Sequence, residues 1–124
     1  MSYIDHGPSL SDESIRLMKE HGTYLVPNLY INGLPLPPET PAATVAKNKY
    51  LEPLVVQSLQ KAYKAGVNMA LGTDSGVYAH GENGREFAAL VANGVSELHA
   101  LWPHSCICQI SEHRHRIYSS GLFR

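Results

Sequence analysis

Residues 67–76, Val-Asn-Met-Ala-Leu-Gly-Thr-Asp-Ser-Gly, form the segment that decides the fold. The first five residues are a short, mostly apolar run of the kind found in buried strands. The next five are small or polar residues that favour a turn. In parallel α/β folds, functional side chains gather at the carboxyl ends of the strands. Asp74 lies at such an end.

Alternating strands and helices are predicted on both sides of this segment. In residues 53–65 the apolar side chains recur at helical spacing, and Pro53 suits the first turn of that helix. Further upstream, the sequence predicts a strand end at residues 3–5, a helix over 11–21 and a strand over 23–27. A third helix is predicted downstream, over residues 85–92. This order predicts parallel strands with right-handed crossovers, as a small open sheet or as part of a barrel.

The composition is that of an ordinary globular protein. The 124 residues are 44% hydrophobic, and ten basic against eleven acidic side chains give a formal net charge of −1. This balance provides no field for recruiting nucleic acid or an anionic membrane. No apolar run approaches the roughly 20 residues that a membrane-spanning helix needs, and the first residues lack the features of a signal peptide. We therefore expect a soluble, cytoplasmic protein without nucleic-acid or membrane partners.

His6 and Asp74 are the candidate metal ligands, because each follows a predicted strand end. Imidazole and carboxylate are suitable ligands for zinc and similar divalent ions, but no local spacing signature joins these two residues. The alternative is structural: His6 belongs to an Asp-His-Gly-Pro turn, and Asp74 is a turn or cap residue. His80 and Glu82 lie in a glycine-containing loop, where they either bind polar groups of a substrate or are simply solvated.

Two long segments resemble the amidohydrolase superfamily. Residues 4–29, IDHGPSLSDESIRLMKEHGTYLVPNL, are similar to the family segment written as IEHG, a helix and an EHGTYLVPTL-like strand. Residues 62–101, which contain KAGVNMALGTDSG and HGEN, are similar to the family's KAGVKIAFGTDAG segment, its PHGEN-type loop and the next helix. The match covers residues 3 to about 101. It is most specific to imidazolonepropionase-like and Xaa-Pro or Xaa-Arg dipeptidase-like members.

This resemblance implies a distorted (β/α)₈ TIM barrel, of which the chain would hold strands six to eight with their helices. His6 would end strand six, where the family's histidine ligates metal or contacts the hydrolytic water. Asp74 would end strand eight, where the family's aspartate binds metal and shuttles the proton, so Asp74 is the expected catalytic residue. The implied cofactor is a divalent metal, zinc in the first place, with one or two ions. Tyr78 and His80 would line the pocket for a small-molecule amide or dipeptide substrate.

The chain also departs from the family at both ends. The family's HxH pair, its lysine after strand four and its histidine after strand five would all lie upstream of position 3, and a full barrel needs about 250 residues. We therefore expect residues 1–103 to be a barrel fragment that is inactive alone. Residues 104–124 do not resemble the GSIAPG-like text with which the family continues. Our hypothesis is a one-base frameshift near Leu101, because another reading frame with freely chosen codons can spell that text.

Two further interpretations stay open. The tail holds four potential zinc ligands within ten residues, so the chain is alternatively a non-catalytic α/β module that binds zinc through Cys106, Cys108, His113 and His115. The third interpretation is a truncated gene product without function. Since an incomplete barrel exposes the edges of its end strands, we expect self-association through those edges.

Overall fold

The computed structural model describes residues 2–78 and 80–101. In chain order, the elements within these residues are β1 (Tyr3–Asp5), α1 (Asp12–Glu20), β2 (Tyr24–Val26), a 3₁₀ helix (Tyr30–Gly33), α2 (Ala42–Ala65), α3 (Arg85–Ala92) and α4 (Glu97–Leu101). The predicted α/β order is found at β1, α1, β2 and α3. The short helix α4 was not predicted.

The strands are parallel, as the sequence predicts. β1 pairs with β2, with Ile4 beside Leu25. The third predicted strand, at residues 67–71, is reduced to a single parallel bridge between Leu25 and Met69. β2 therefore lies between β1 and this third segment, and three chain segments end at the same edge. The closed barrel of the sequence analysis remains a prediction, because two paired strands and a bridge do not test it.

Helices cover one face of the strands and form the main core with them. Ser11 caps the start of α1, because its Oγ accepts a hydrogen bond from the Ser14 N–H, and the helix turns an apolar face inward. The buried apolar residues of this core are Ile15, Met18, Leu25, Leu29, Val55, Leu59, Ala62, Val67, Met69, Leu90, Val95 and Ala100. Because neighbouring strand residues point to opposite faces, Tyr24 and Val26 pack with Ala70 in a second, smaller cluster.

The start predicted for α2 is wrong. The helix begins at Ala42 rather than at Pro53, which lies in its interior. Proline lacks the N–H that would bond to the carbonyl of Lys49, but good helix formers on both sides continue the helix across that gap. The predicted stop is confirmed, since Gly66 ends α2 with a left-handed φ of 75°. Although α2 has 24 residues, no helix in the described part of the chain combines the length and the apolar character needed to cross a membrane.

Gly72 marks a close approach of the third segment to β2. A Cβ atom at this position would overlap Val26 Cγ1 and Asn28 Oδ1. Val26 is the last residue of β2, and Asn28 follows it by two positions. Glycine is therefore required here by space, and it allows the carboxyl end of β2 to lie against the segment that leads to Asp74.

Replacing Gly72 with alanine is expected to lower the free energy of unfolding by about 1–3 kcal/mol, the usual cost of overpacking. Val26 is β-branched and held in a strand, so it has little freedom to move away. Urea unfolding followed by circular dichroism measures the change. Gly33→Ala is the matched control, because a Cβ at Gly33 meets no atom within 4 Å. Equal losses of stability in the two variants would contradict the close approach at Gly72.

Candidate functional site

The structure brings His6 and Asp74 together at the carboxyl end of the strands. His6 directly follows β1, and Asp74 follows the segment that Met69 joins to β2. The His6 Nε2 atom lies 3.6 Å from Asp74 Oδ2, and the two side chains are 40% and 42% exposed. This distance is longer than that of a direct hydrogen bond. An imidazole and a carboxylate thus face each other across the end of β2, open to solvent.

Each of the three chain segments ends in a polar residue with left-handed backbone geometry. The φ angles are 58° at His6, 50° at Asn28 and 51° at Asp74. Positive φ is uncommon outside glycine, although His, Asn and Asp are among the residue types that adopt it most readily. Such strained positions tend to gather at functional sites. In the described part of the chain the other non-glycine residue with positive φ is Ser9, at 60°, so most of these residues lie at this edge of the strands.

Asn28 is a polar residue of this edge that the sequence analysis did not single out. It is only 4% exposed, and its buried Oδ1 atom has no hydrogen-bond partner. Its side chain lies against Gly72, two residues before Asp74. The available sequence signal was its position, directly after Pro27 at a predicted strand end.

Glu86 is a buried carboxylate that holds the loop after β2, and it too was missed. It is 1% exposed, and its two oxygens accept hydrogen bonds from the Leu29 N–H at 2.7 Å and the Tyr30 N–H at 2.8 Å. These donors open the 3₁₀ helix, where backbone N–H groups otherwise lack partners. Burial raises the pKa of Glu86 above its ordinary value, while the two N–H donors and the charge of His6 oppose that rise.

Tyr30 contacts two residues of the loop that follows Asp74. Its hydroxyl donates a 2.6 Å hydrogen bond to Glu82 Oε2, which raises the pKa of the Tyr30 phenol. Its ring meets the edge of the Tyr78 ring, with the centroids 5.2 Å apart. Within the same loop, Ser75 Oγ lies 3.1 Å from His80 Nδ1. The structure thus shows what holds Tyr78 and His80, whereas their contact with substrate remains a prediction.

A cavity of about 720 Å³ lies beside His6. Its volume is within the range of small-molecule sites, roughly 300–1,000 Å³. The loop after β2 and the first half of α2 supply apolar wall residues such as Leu34, Leu36 and Val45, and Lys49 and Glu52 add charge. The arrangement suits a small ligand with an apolar portion. No sequence pattern indicated the cavity, because its walls come from a loop and from the first half of α2, whose start was predicted wrongly.

The donor pair fits one divalent metal ion. Two N or O ligands about 2.1 Å from a tetrahedral ion lie roughly 3.4 Å apart, close to the 3.6 Å between His6 Nε2 and Asp74 Oδ2. The unpartnered Asn28 Oδ1 adds an oxygen at the same edge. Among residues 2–78 and 80–101, no three His, Cys, Asp or Glu side chains group as a metal site. The four ligands proposed for the tail, Cys106, Cys108, His113 and His115, lie outside the described residues.

Sequence comparison finds relatives of much greater length. Uncharacterized proteins of Mycobacterium bovis and of two Mycobacterium tuberculosis strains are each 34% identical to this chain over 103 residues. The matches cover 79% of this chain but 28% of each relative. The chain thus spans less than a third of the curated relatives that it matches. No protein-family model matches it.

Comparison with solved structures identifies two hydrolases. A Xaa-Pro dipeptidase with methionine bound in its active site superposes with a TM-score of 0.75 and 32% identity, over 83% of this chain and 27% of the dipeptidase. A. niger ochratoxinase gives a TM-score of 0.68 and 28% identity, over 82% of this chain and 23% of that enzyme. Both neighbours are of the amidohydrolase type, and they support the amidohydrolase superfamily for this chain.

Replacing Glu86 with glutamine tests the buried carboxylate. The unfolded chain ionises Glu86 near its ordinary pKa, about 4.3, whereas the folded chain does so at higher pH. The stability of the natural chain relative to the variant should therefore fall as pH rises from about 4.3 through the raised pKa, and then level off. Urea unfolding between acid and neutral pH measures this difference. Glu97→Gln is the control, because Glu97 is exposed. A difference that does not change with pH would contradict the role of burial.

Proposed function

We propose that this chain is the part of a metal-dependent amidohydrolase that holds strands six to eight of its (β/α)₈ barrel. The reaction is hydrolysis of an amide, peptide or cyclic-amide C–N bond. The observation that carries this proposal is the pair of His6 Nε2 and Asp74 Oδ2, 3.6 Å apart at the ends of two different chain segments. The structural likeness to a dipeptidase and to ochratoxinase supports a hydrolase of this type.

The mechanism that we propose assigns one role to each donor. A divalent ion held at this site, zinc in the first place, would supply Lewis acidity towards the scissile carbonyl and would lower the pKa of the attacking water. His6 would hold the ion through Nε2. Asp74 would also contact it, and its carboxylate would accept the proton of the attacking water and return it to the leaving amine. The open exposure of both side chains leaves room for water and substrate.

The substrate that we propose is a small amide or dipeptide. The cavity beside His6 is large enough for such a molecule, and its apolar walls would accept an apolar side chain. Tyr78 and His80 lie in the loop that directly follows Asp74, where Tyr30 and Ser75 restrain them. We therefore retain both as substrate-contacting residues in the proposal.

In this proposal, the remaining strands of the (β/α)₈ barrel, with their metal ligands, complete the site. His6 and Asp74 are two donors, whereas a catalytic zinc site has three His, Cys, Asp or Glu ligands and a water; no third residue of these types groups with them within the described part of the chain. Within the described residues, β1 pairs only along the edge that faces β2. Its free edge is suited to receive another strand or a second copy of this chain.

Co²⁺ titration of the purified chain tests the metal site. We expect His6→Ala and Asp74→Ala each to weaken Co²⁺ binding by on the order of tenfold or more, because each removes a direct ligand. The Co²⁺ absorption spectrum and the NMR signals of the histidine rings measure binding. His21→Ala is the matched control, since His21 is an exposed histidine at the end of α1.

Metal binding by the cysteines of residues 104–124 is the alternative that this titration also tests. Binding that is lost in the double variant Cys106→Ser, Cys108→Ser but is unchanged in the His6 and Asp74 variants would contradict the proposed site. That result would favour the zinc-binding module. Thermal melts of every variant establish whether each protein is folded under the conditions of the titration.

The isolated chain, saturated with Zn²⁺ or Co²⁺, is expected not to hydrolyse Xaa-Pro dipeptides or imidazolone-like amides. The described residues offer no third His, Cys, Asp or Glu ligand beside His6 and Asp74, so this part of the chain lacks the ligand set of a catalytic zinc site. Amine release measured by chromatography checks this, with a full-length Xaa-Pro dipeptidase as the positive control. Turnover that falls on the order of a thousandfold in Asp74→Asn would overturn the expected inactivity while supporting the role of Asp74.

A further inference from the structure

We propose that the side-chain oxygen of Asn28 is a third donor to the divalent ion held by His6 and Asp74. This inference rests on the proposed function and extends it, because Asn28 is an uncharged residue outside the predicted ligand set. It would give the site one nitrogen and two oxygen donors, each from the end of a different chain segment. The juxtaposition of the three segments carries the inference.

The strand order places Asn28 between the two other donors. β1 and the third segment flank β2 on its two sides. The His6 N–H extends the pairing of β1 by donating to the Val26 carbonyl oxygen at 2.8 Å. The contact between His6 and Asp74 therefore spans the carboxyl end of β2, and Asn28 follows that end by two residues.

The contact with Gly72 fixes the direction of the Asn28 side chain. Asn28 Oδ1 fills the space that a Cβ of Gly72 would occupy. The carboxamide thus lies against the third segment two residues before Asp74.

The chemical state of Asn28 indicates a missing partner. Its Oδ1 atom is buried and accepts no hydrogen bond, in a residue that is 4% exposed and has a left-handed φ of 50°. A buried acceptor without a partner destabilises a fold, and so does left-handed geometry outside glycine. A carboxamide oxygen is a ligand for divalent cations that take oxygen donors. A bound ion would satisfy this atom.

Asparagine-to-aspartate substitution tests the assignment, with Co²⁺ alone as the probe. Asn28→Asp keeps the side-chain shape and the tolerance of left-handed φ while adding a negative charge. We expect it to bind Co²⁺ about tenfold more tightly than the natural chain, and we expect Asn28→Gly, which removes the donor, to bind about tenfold more weakly. Asn32→Asp is the matched control, because Asn32 also has a buried amide atom without a partner and lies four residues away.

The Co²⁺ dissociation constants from absorption titrations separate the outcomes. Tighter binding in Asn28→Asp and weaker binding in Asn28→Gly, with Asn32→Asp unchanged, is the expected result. The inference alone fails if both Asn28 variants bind as the natural chain does while His6→Ala and Asp74→Ala still weaken binding. It also fails if Asn32→Asp gains affinity equally. If the natural chain binds no Co²⁺ through His6 and Asp74, the proposed function fails as well. Where Asn28→Asp does not fold without metal, Asn28→Gly decides the question.

Discussion

The absence of a side chain at Gly72 sets the distance on which the site depends. It lets Val26 and the Asn28 carboxamide lie directly against the third segment. Neighbouring strands lie about 4.8 Å apart, so the two segments that flank β2 are separated by roughly 10 Å. An imidazole and a carboxylate can span that gap only if all three segments stay close. The distance of 3.6 Å between His6 and Asp74 therefore depends on the close packing of Gly72 against Val26 and Asn28.

Glu86 connects this edge of the strands to the helices. Its carboxylate joins α3 to the backbone of Leu29 and Tyr30, and Tyr30 in turn holds Glu82 and Tyr78. Burying a carboxylate is costly, and two charge-assisted hydrogen bonds offset part of that cost. A neutral apolar side chain would fill the same space but would leave two backbone donors unsatisfied. The Glu86 carboxylate thus orders the loop after β2 directly. Through Tyr30 it also helps to order the loop that follows Asp74.

The sequence predicted the parts of the site that chain order determines, and it missed the parts that packing determines. The sequence predicts His6 and Asp74 at neighbouring strand ends, and the structure brings them within 3.6 Å although the third strand is reduced to a bridge at Met69. Their role as metal ligands stays a prediction. The predicted start of α2 was wrong because Pro53 was assigned to the first turn of the helix, a position that proline favours. In the structure the helix starts upstream and continues through Pro53. Glu86 lies one turn before Leu90 on the buried face of α3. A charged residue on an apolar face was its signal, but only the structure shows that backbone donors from a loop 56 residues away meet it.

The exposure of the donors limits what these residues achieve by themselves. His6 and Asp74 are 40% and 42% exposed, so water screens the attraction between them, and the pair adds little to the stability of the fold. Left-handed geometry at three strand ends costs further stability. A chain under pressure for stability alone would relieve that strain with glycine, which adopts positive φ freely. Left-handed φ at three adjacent segment ends, each with a nitrogen or oxygen donor in its side chain, is a cost that the proposed shared ligand would offset.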